Sequence, residues 1–563
     1  MQLQLPKFEV DQTTMGQLLD LVAEQFGDSL AVRYHQLGIE YNYSQFKDVC
    51  NSAAKGFMAI GAEKGDKIAI WANNVPEWLY TQFGTGKMGA IMVTVNTSYR
   101  SFDLEYLMKQ SDSSTLILIG GVRDADEYIK VIYDVCPELK DCEPGKLNSA
   151  KLPELKNVVY IGKEKMPGMY NWDDIIALGQ DISDDALRAR QDSMDSDDVI
   201  NMQYTSGTTG FPKGVMLTHT NLIGNAKSLG ECMNLSSVDN LCIPVPFFHC
   251  FGCVLGTLTC VVSAAGMSPV VAFKPDAALE TVAVSKCTAL HGVPTMFIAE
   301  LEEMETSEKT YDTSLLRTGI MAGSPCPIEV MKKVVSKMGA SEMTIVYGQT
   351  EAAPGITQTR PEDSHELRVS TVGRALPNVE VKIVDPATNE EVADGVQGEL
   401  CSSGYHVMKG YYKMPEATAE AIDSDGWLHT GDLAIMDKNG YCKITGRIKD
   451  MIIRGGENIY PREIEEFLYT HPKIKDVQVV GVPSLQYGEE LAAYIQLKPE
   501  VVSTHAEIKA FCKNKIAFHK IPAFFFFVEE YPTTASGKIQ KYKLRDMATR
   551  KMGRENDAKI ETA

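Results

Sequence analysis

The chain is short of positive charge. Its 563 residues contain 55 Lys and Arg against 75 Asp and Glu, which gives a formal net charge of −20 at pH 7. Proteins whose main partner is nucleic acid present a basic face to the phosphate backbone. The composition therefore argues against nucleic acid as the main partner, and an anionic ligand would need a local basic site on an acidic body.

The sequence also lacks recognisable targeting signals and paired cysteines. The first ten residues, MQLQLPKFEV, contain no charged segment followed by an apolar run, and the last five, KIETA, match no lipidation or targeting signal. The 13 cysteines are odd in number and irregularly spaced, which predicts free thiols in a reducing compartment. We therefore expect a cytoplasmic protein.

Charged residues are missing altogether from one long stretch. Between Leu241 and Phe273 there is no Asp, Glu, Lys or Arg, which is long enough to cross a bilayer. Three prolines and three glycines interrupt the stretch, and no cluster of positive charge flanks it to set an orientation. We expect no integral membrane span and leave peripheral membrane contact open. A buried core helix that lines an apolar pocket is the better interpretation.

Strand and helix patterns alternate along the chain and predict an α/β protein. A length of 563 residues exceeds what one hydrophobic core usually supports, so we expect at least two domains. We place a large N-terminal domain of α/β layers at residues 1–448 and a smaller α/β domain at residues 449–563. The stretch from Tyr531 onward is basic, which is typical of a lid over an anionic site or of a solvated tail.

The N-terminal segments carry clear periodicities. Residues 14–26 predict a helix, residues 29–46 a hairpin that leads into a helix, and residues 67–96 two parallel strands around a helix. Gly84, Gly86 and Gly89 match G-x-G-x-x-G, but a dinucleotide site needs that pattern after a strand and at the start of a helix. We interpret these glycines as sites of close helix packing.

Residues 204–219, YTSGTTGFPKGVMLTH, surround one lysine with hydroxyl residues and glycines. They depart from the phosphate-loop pattern G-x-x-x-x-G-K-[ST], because Pro212 precedes the lysine and Gly214 replaces the metal-binding hydroxyl. The segment follows a predicted strand and precedes a predicted helix, so its hydroxyls and amides could wrap the outer phosphates of a nucleotide. The candidate phosphate-binding residues are Thr205, Ser206, Gly207, Thr208, Thr209, Gly210 and Lys213.

Three further motifs carry possible chemistry, and each is weak alone. The segment Tyr347-Gly348-Gln349-Thr350-Glu351 ends a predicted strand, and a hydroxyl beside a carboxylate suits a phosphate oxygen next to Mg²⁺. Thr430-Gly431-Asp432 places a carboxylate that could accept both hydroxyls of a ribose. Residues 532–538, PTTASGK, present Lys538 on a loop in the basic last stretch.

Together and in this order, the motifs resemble those of the adenylate-forming enzymes, the superfamily of acyl-CoA synthetases, luciferase-like enzymes and peptide-synthetase adenylation domains. The resemblance covers nearly the whole chain. TSGTTGFPKG resembles the family's phosphate loop and YGQTE its magnesium motif. The segment with Gly323, Ser324 and Pro325 resembles the adenine-contacting segment, GWLHTGD the ribose motif, GRIKD the interdomain hinge and PTTASGK the catalytic-lysine loop.

The resemblance implies a large N-terminal domain, a mobile C-terminal domain and a two-step reaction. A carboxylic acid attacks the α-phosphorus of ATP with the help of Mg²⁺, and coenzyme A then displaces AMP from the acyl-adenylate. The resemblance implies that Lys538 and Thr350 contact the α-phosphate and that Glu351 binds Mg²⁺. Asp432 would hold the ribose beside Arg447, and the nucleotide site would be lined by Tyr347, Gly348 and Gln349. In the C-terminal part, Lys449 would be the hinge and Gly456 would let pantetheine pass.

The charge-free stretch indicates which kind of carboxylic acid is the substrate. The resemblance places His249 next to the substrate carboxylate, with Cys250, Phe251 and Gly252 in the acyl pocket. Amino-acid-activating relatives carry an aspartate soon after this point, whereas here no acidic residue occurs before Asp276. Because burying an unpaired ammonium costs several kcal/mol, roughly, an amino acid is a poor substrate. We expect an apolar acid, and the local sequence is most similar to medium-chain acyl-CoA synthetases.

Several alternatives stay open at this point. Within the same superfamily, the substrate could be an aryl acid. From other classes, the protein could be a membrane-associated fatty-acid carrier or a catalytically silent AMP sensor, although the retained Lys538 and Glu351 speak against the sensor. A small-molecule carboxylic acid is the expected partner, and the sequence does not decide whether the chain forms a homo-oligomer.

Overall fold

The computed structural model describes residues 5–122, 124–205, 212–323, 326, 328–454, 457–513, 515–534 and 538–554, without the side chains of residues 457 and 458. By internal packing the chain divides into two compact units. The first unit comprises Met1–Val369, Gly373–Glu380 and Ser402–Leu428; the second comprises Ser370–Val372, Val381–Cys401 and His429–Ala563. The boundary predicted between residues 448 and 449 separates the N-terminal domain from a C-terminal domain that is expected to move. That boundary stays a prediction.

The strands of the described residues are numbered in chain order. They are β1 Leu30–Tyr34, β2 Ile39–Asn42, β3 Lys67–Trp71, β4 Ile91–Thr94, β5 Ser113–Leu118, β6 Asn157–Tyr160, β7 Tyr170–Asn171, β8 Val199–Thr205, β9 Lys213–Thr218, β10 Asn240–Ile243, β11 Gly266–Pro269, β12 Ala289–Leu290, β13 Thr318–Met321, β14 Glu342–Gly348, β15 Gly355–Gln358, β16 Arg374–Ala375, β17 Val379–Val384, β18 Gln397–Gly404, β19 Gly410–Tyr411, β20 Leu428–Met436, β21 Cys442–Arg447, β22 Ile452–Arg454, β23 Glu457–Ile459, β24 Ile474–Ser484, β25 Gly488–Leu497 and β26 Phe524–Phe527.

The α-helices are numbered in the same way. They are α1 Met15–Phe26, α2 Tyr43–Ala59, α3 Pro76–Met88, α4 Ser101–Ser111, α5 Glu127–Val135, α6 Trp172–Leu178, α7 Asp184–Asp192, α8 His219–Cys232, α9 Thr259–Ser263, α10 Pro275–Val284, α11 Pro294–Thr306, α12 Ile328–Met338, α13 His365–Ser370, α14 Pro415–Ala421, α15 Pro461–Tyr469, α16 His505–Cys512 and α17 Lys541–Lys551. A π-helix at Phe251–Leu258 precedes α9.

Two large sheets form the first unit. One has the strand order β16-β15-β14-β13-β12-β10-β11-β1-β2, and the other the order β19-β9-β8-β4-β3-β5-β6-β7. The inner strands of both sheets run parallel, and antiparallel strands are added towards the edges, including β15 beside β14 and β9 beside β8. In such sheets ligands bind beyond the carboxyl ends of the parallel strands. A site is therefore expected at the carboxyl ends of β8 and β14.

The second unit contains two smaller sheets. One has the order β17-β18-β20-β21, and in the other β23-β22-β25-β24 is extended by β26 beside β25. β24 and β25 form a long antiparallel hairpin, and α15 and α16 cover one of its faces with apolar side chains that include Ile464, Leu468 and Ile508. This unit has a hydrophobic core of its own, as a domain requires.

The elements predicted near the N-terminus are confirmed. Thr14 caps α1 by accepting the Gln17 N–H, hairpin β1–β2 leads into α2, and β3 and β4 pair in parallel. The interpretation of Gly84 and Gly86 holds as well. A Cβ on Gly84 would lie 3.2 Å from the Ala53 Cβ, and one on Gly86 would lie 2.9 Å from the Met15 sulfur, so larger residues would push neighbouring helices apart.

Most of the charge-free stretch is buried, but the single core helix predicted for it is wrong. It folds as β10, the π-helix, α9 and β11, and β10 pairs in parallel with β11. Strands inside a parallel sheet are covered on both faces, so they are continuously apolar, like a buried helix. Among the helices in the described residues, none is long and apolar enough to cross a membrane.

The basic stretch after Tyr531 is neither a simple tail nor wholly a loop. Part of it is α17, whose Leu544 and Ala548 are buried against Val480 and Tyr494 of the second unit. The lysines and arginines lie on the remaining faces of the helix. Burial of two apolar positions one turn apart fixes α17 on the domain, which the charge count could not show.

The cysteines are free thiols, as predicted, and the reducing compartment stays a prediction. All 13 cysteines are free, and 12 of them are buried. Burial in apolar surroundings raises the pKa of several thiols, among them Cys232 and Cys442 to about 12. These cysteines are therefore packed neutral thiols.

Candidate active site

The lysine-bearing loop joins two antiparallel strands. Thr205 ends β8 and lies opposite Lys213, the first residue of β9. Residues 206–211, with the candidates Ser206, Gly207, Thr208, Thr209 and Gly210, lie outside the described residues. The predicted helix α8 begins only at His219, after β9. Lys213 is thus held by strand register, unlike the lysine of a phosphate loop that opens directly into a helix.

The magnesium motif forms a tight loop after β14. Tyr347 and Gly348 end the strand, and a short 3-10 turn follows at Thr350–Ala352. The Gln349 N–H donates to the Pro354 carbonyl at 2.9 Å. A Cβ on Gly348 would lie 1.8 Å from the same carbonyl oxygen, so only glycine fits at this position. Local geometry therefore fixes the direction in which Thr350 and Glu351 leave the sheet.

A buried asparagine on a neighbouring helix holds this loop by hydrogen bonds. Asn225 of α8 is fully buried, and its Nδ2 donates to the carbonyls of Ala352 at 3.4 Å and Gly355 at 2.8 Å. Its Oδ1 accepts the Gly355 N–H at 2.9 Å. The sequence analysis missed Asn225, because nothing near it in the sequence shows what its amide contacts.

Tyr411 contacts residues of both motifs and was also missed. Its hydroxyl donates to Glu351 Oε1 at 2.8 Å, and the Lys213 Nζ lies 4.6 Å from its ring centroid. The Met408 N–H donates to the Glu351 carbonyl at 2.9 Å, so the same segment holds main chain and side chain. Burial, followed by the Glu351 carboxylate, raises the pKa of Tyr411. The hydroxyl is therefore a permanent donor.

The segment around His249 leads into the π-helix. The His249 Nδ1 accepts the Phe251 N–H at 3.2 Å, and Cys250 and Phe251 are buried. A Cβ on Gly252 would lie 2.2 Å from the Pro246 carbonyl oxygen, so this position requires glycine. π-Helical turns are frequent at functional sites.

A second histidine, which the sequence analysis did not single out, supports the π-helix. His291 is fully buried, and its Nδ1 accepts the Ile320 N–H at 3.1 Å. Its Nε2 must then carry the proton, which it donates to the Leu255 carbonyl at 2.9 Å. Burial lowers the pKa of His291 to about 4, so the ring stays neutral and joins the π-helix to β13.

The segment similar to an adenine-contacting segment is described only at its start. β13 ends at Met321, and Gly323 has a φ of +89°, a conformation that favours glycine. Ser324 and Pro325 lie outside the part of the chain that the structure describes.

In the second unit, Asp432 and Arg447 form a cross-strand pair. They lie directly opposite each other in β20 and β21, and the Arg447 Nε donates to Asp432 Oδ1 at 2.8 Å. The Asp432 side chain is 6% exposed and the Arg447 side chain 53% exposed. The carboxylate is thus oriented by a cation that reaches solvent, an arrangement suited to presenting it to hydroxyl groups.

Three side chains brace the turn before Asp432. The His429 Nδ1 lies 2.9 Å from Glu399 Oε2 and 3.4 Å from the Cys401 sulfur. Glu399 Oε1 accepts the Gly431 N–H at 2.8 Å. The group has the donor types of a metal site, but its carboxylate is already used by His429 and Gly431. We interpret it as a polar brace between β18 and β20.

The main chain of Lys538 is hydrogen-bonded to Thr534. Its N–H donates to Thr534 Oγ1 at 3.0 Å, its carbonyl accepts the Thr534 N–H at 2.7 Å, and Thr533 pairs with Ile539. Residues 535–537 and Gly456 lie outside the described residues. Lys449 lies in a 3-10 turn at Ile448–Asp450, directly after β21. The predicted roles of Lys538, Lys449 and Gly456 stay predictions.

Comparison with known proteins covers nearly the whole chain. A family model described as AMP-binding enzyme matches residues 19–412, and a model of the AMP-binding enzyme C-terminal domain matches residues 463–538. YngI of Bacillus subtilis (strain 168), whose name assigns it provisionally to the acyl-CoA synthetases, is 58% identical over 538 residues, which is 96% of this chain and 97% of YngI. The mitochondrial medium-chain acyl-CoA ligase ACSF2 of Mus musculus is 41% identical over 544 residues, which is 95% of this chain and 87% of ACSF2.

Solved structures agree with the observed fold. ATP-bound MatB from Rhodopseudomonas palustris superimposes with a TM-score of 0.82 at 26% identity, over 95% of this chain and 99% of MatB. A Mycobacterium tuberculosis fatty acyl CoA synthetase gives a TM-score of 0.69 at 26% identity, over 96% of this chain and 99% of that chain. The two-unit α/β fold, the order of the motifs and the two family models lead to one conclusion: the chain belongs to the AMP-binding enzyme family, the adenylate-forming enzymes.

Proposed function

We propose that the protein is an ATP-dependent, AMP-forming acyl-CoA synthetase that converts an apolar, medium-chain carboxylic acid to its CoA thioester and releases pyrophosphate. We further propose that it acts in the cytoplasm. The names of the relatives at 58% and 41% identity support the CoA ligase activity. The name of the relative at 41% identity suggests the medium chain length. The observation that carries the apolar class of the acid is the charge-free segment around His249. Between Leu241 and Val270, every residue except Pro246 and His249 is buried, and none is charged.

In the adenylation step, the first unit handles the phosphates. Lys213 offers an ammonium next to the loop between β8 and β9, and the Thr350 hydroxyl follows β14. The Glu351 carboxylate supplies an oxygen donor of the kind that Mg²⁺ prefers, so this residue fits a magnesium ion, and the Thr350 hydroxyl beside it suits a phosphate oxygen. When bound, the ion neutralises phosphate charge. Glu351, whose Oε1 accepts the Tyr411 hydroxyl, would hold the ion.

The second unit supplies the ribose and transition-state contacts in this proposal. Asp432 accepts the ribose hydroxyls while Arg447 keeps its carboxylate oriented. Lys538 places a positive charge between the acid and the α-phosphate, where charge develops as the acid attacks phosphorus. Phosphoryl chemistry of this kind depends on positioning and charge stabilisation, which is what these groups provide.

The proposal of an apolar acid rests on the absence of charged residues from the π-helical segment. A substrate ammonium would need a buried acid partner, and the segment offers none before Asp276. An alkyl chain needs only apolar contact, worth about 0.8 kcal/mol for each methylene. His249 stands at the start of this segment, where its ring can contact the carboxylate end of the acid.

The test is pyrophosphate release across linear acids from acetate to palmitate, with benzoate and phenylalanine included. Within the length of the pocket we expect kcat/KM to rise about fourfold for each added methylene, and to fall beyond it. Highest activity with benzoate would favour an aryl acid ligase. A preference for acetate or phenylalanine would contradict the proposal, and so would nucleotide binding without pyrophosphate release from any acid.

A further inference from the structure

Tyr411 lies between the two charged groups of the phosphate region. It pairs with Val215 across the β19–β9 ladder, two residues after Lys213, so Lys213 is its diagonal neighbour on the same face. Its hydroxyl donates to Glu351 Oε1 at 2.8 Å, and the Lys213 Nζ lies 4.6 Å from its ring centroid. The side chain is 8% exposed, so both contacts are shielded from water.

The tyrosine contacts the two charges by different parts of the same side chain. The ring face attracts the ammonium, and the hydroxyl attracts the carboxylate. A direct ion pair between Lys213 and Glu351 would neutralise both groups, and the structure of the described residues contains none between them. With the phenol between them, each group is held in place while its charge stays available to phosphate or metal.

We propose that Tyr411 is a positioning residue for adenylation, which orients Glu351 towards the metal and Lys213 towards the phosphates of ATP. The inference rests on the proposed function, because it gives these two residues their ligands. In this proposal Tyr411 itself contacts neither the metal nor the phosphates. It acts through Glu351 and Lys213.

Two substitutions separate the two contacts. Tyr411→Phe removes the hydroxyl and keeps the ring, so we expect the Mg²⁺ concentration for half-maximal pyrophosphate release to rise about tenfold, the loss of one hydrogen bond to a charged group. The KM for ATP at saturating Mg²⁺ should stay within about twofold. Tyr411→Leu also removes the ring face, and the KM for ATP should then rise about threefold or more.

The next residue provides a matched control. The Tyr412 hydroxyl donates to Asp112 Oδ2 at 2.8 Å, so Tyr412→Phe removes the same type of hydrogen bond from the neighbouring residue. This variant should keep the Mg²⁺ dependence of the wild type. Melting temperatures of all three variants show whether a change in activity follows from unfolding.

Calorimetry of ATP binding at stepped Mg²⁺ concentrations gives a readout that does not require turnover. The inference predicts that Tyr411→Phe shifts the Mg²⁺ dependence of ATP binding and that Tyr412→Phe does not. If Tyr411→Phe is folded and matches the wild type in both assays, Tyr411 only packs the strand and the inference is wrong. A wild-type protein that binds ATP with Mg²⁺ but activates no acid would instead overturn the proposed function, while the calorimetric comparison would still decide the role of Tyr411.

Discussion

The loop Thr350–Gly355 of the first unit and the hairpin β20–β21 of the second unit present their functional candidates in different ways. The loop is held by side chains far away in sequence, because Asn225 lies 127 and 130 residues from its partners and Tyr411 lies 60 residues from Glu351. The hairpin holds itself, since Asp432 and Arg447 are 15 residues apart and opposite in register. Long-range support belongs to the tertiary fold, and local support follows from the strand and turn pattern.

The two arrangements also differ in burial. Asn225 is fully buried and Tyr411 nearly so, whereas the Arg447 side chain is half exposed. Removing a buried partner leaves polar groups without water, which costs about 1–3 kcal/mol, while an exposed ion pair contributes about 0–1 kcal/mol. We therefore expect removal of a partner of the loop to cost more stability than removal of Arg447 from the hairpin.

The largest expected effect is at Lys538, a residue of the second unit whose positive charge is assigned to the transition state of adenylation. Lys538→Ala should slow adenylation about 10²–10³-fold, because it removes a charge aimed at the transition state. Given preformed acyl-adenylate, the variant should make acyl-CoA at nearly the normal rate. Stopped-flow assays of each half-reaction measure this, with Lys543→Ala, at an exposed position of α17, as the control. Equal loss of both half-reactions in a folded variant would contradict the role assigned to Lys538.

Asn225→Ala tests the long-range support directly. It leaves the Gly355 N–H and two carbonyls without their buried partner, so we expect a loss of about 1–3 kcal/mol in stability and a higher Mg²⁺ requirement. Ser228→Ala on the same helix removes a bond to the Tyr405 hydroxyl at 2.7 Å and should leave Mg²⁺ dependence unchanged. Thermal melting and Mg²⁺ titration check both variants. If the two behave alike, the loop does not depend on Asn225.

Glu300 offers a contrast with Glu351 inside the first unit. It is 1% exposed, neither carboxyl oxygen has a hydrogen-bond partner among the described residues, and burial raises its pKa well above the ordinary value. The folded state therefore keeps a proton that the unfolded chain releases above about pH 4.5. Folding is favoured below that pH and loses free energy as pH rises towards the folded-state pKa.

Glu300→Gln keeps the shape and removes the ionisation. We expect the variant to match the wild type near pH 4.5 and to be more stable by about 1–2 kcal/mol at pH 8. Melting curves across this pH range measure the difference. A constant offset between the two proteins at every pH would show that Glu300 is not protonated in the folded state.

The smallest effect is expected at the hairpin. Arg447→Gln removes a half-exposed partner of Asp432, so stability should fall by no more than about 1 kcal/mol and the KM for ATP should rise about two- to fivefold. ATP kinetics and melting curves of Arg447→Gln and Asn225→Ala, measured side by side, test the comparison as a whole. A larger loss of stability in Arg447→Gln than in Asn225→Ala would reverse it.

The motifs and most of their elements were predictable from sequence. β8, β14, β20 and β21 follow from apolar runs and turn residues close to each other in the chain. Asp432 and Arg447 stand opposite because a register shift between Leu433 and Ala434 follows the turn at Gly440, and the residue pattern does not predict that shift. The helix α17 was not predicted, because most of its residues are charged or polar and only two positions, Leu544 and Ala548, show the apolar spacing of a packed helix.

The sequence by itself determined the order of the motifs, the α/β class and the apolar character of residues 241–273, since each depends on residue type and spacing along the chain. Only the tertiary structure decided that this apolar segment is two parallel strands around a π-helix, because buried strands and buried helices have the same composition. It alone placed Tyr411 between Lys213 and Glu351 and Asn225 against Gly355. Contacts between segments this far apart arise when sheets and helices pack, and no local pattern encodes them.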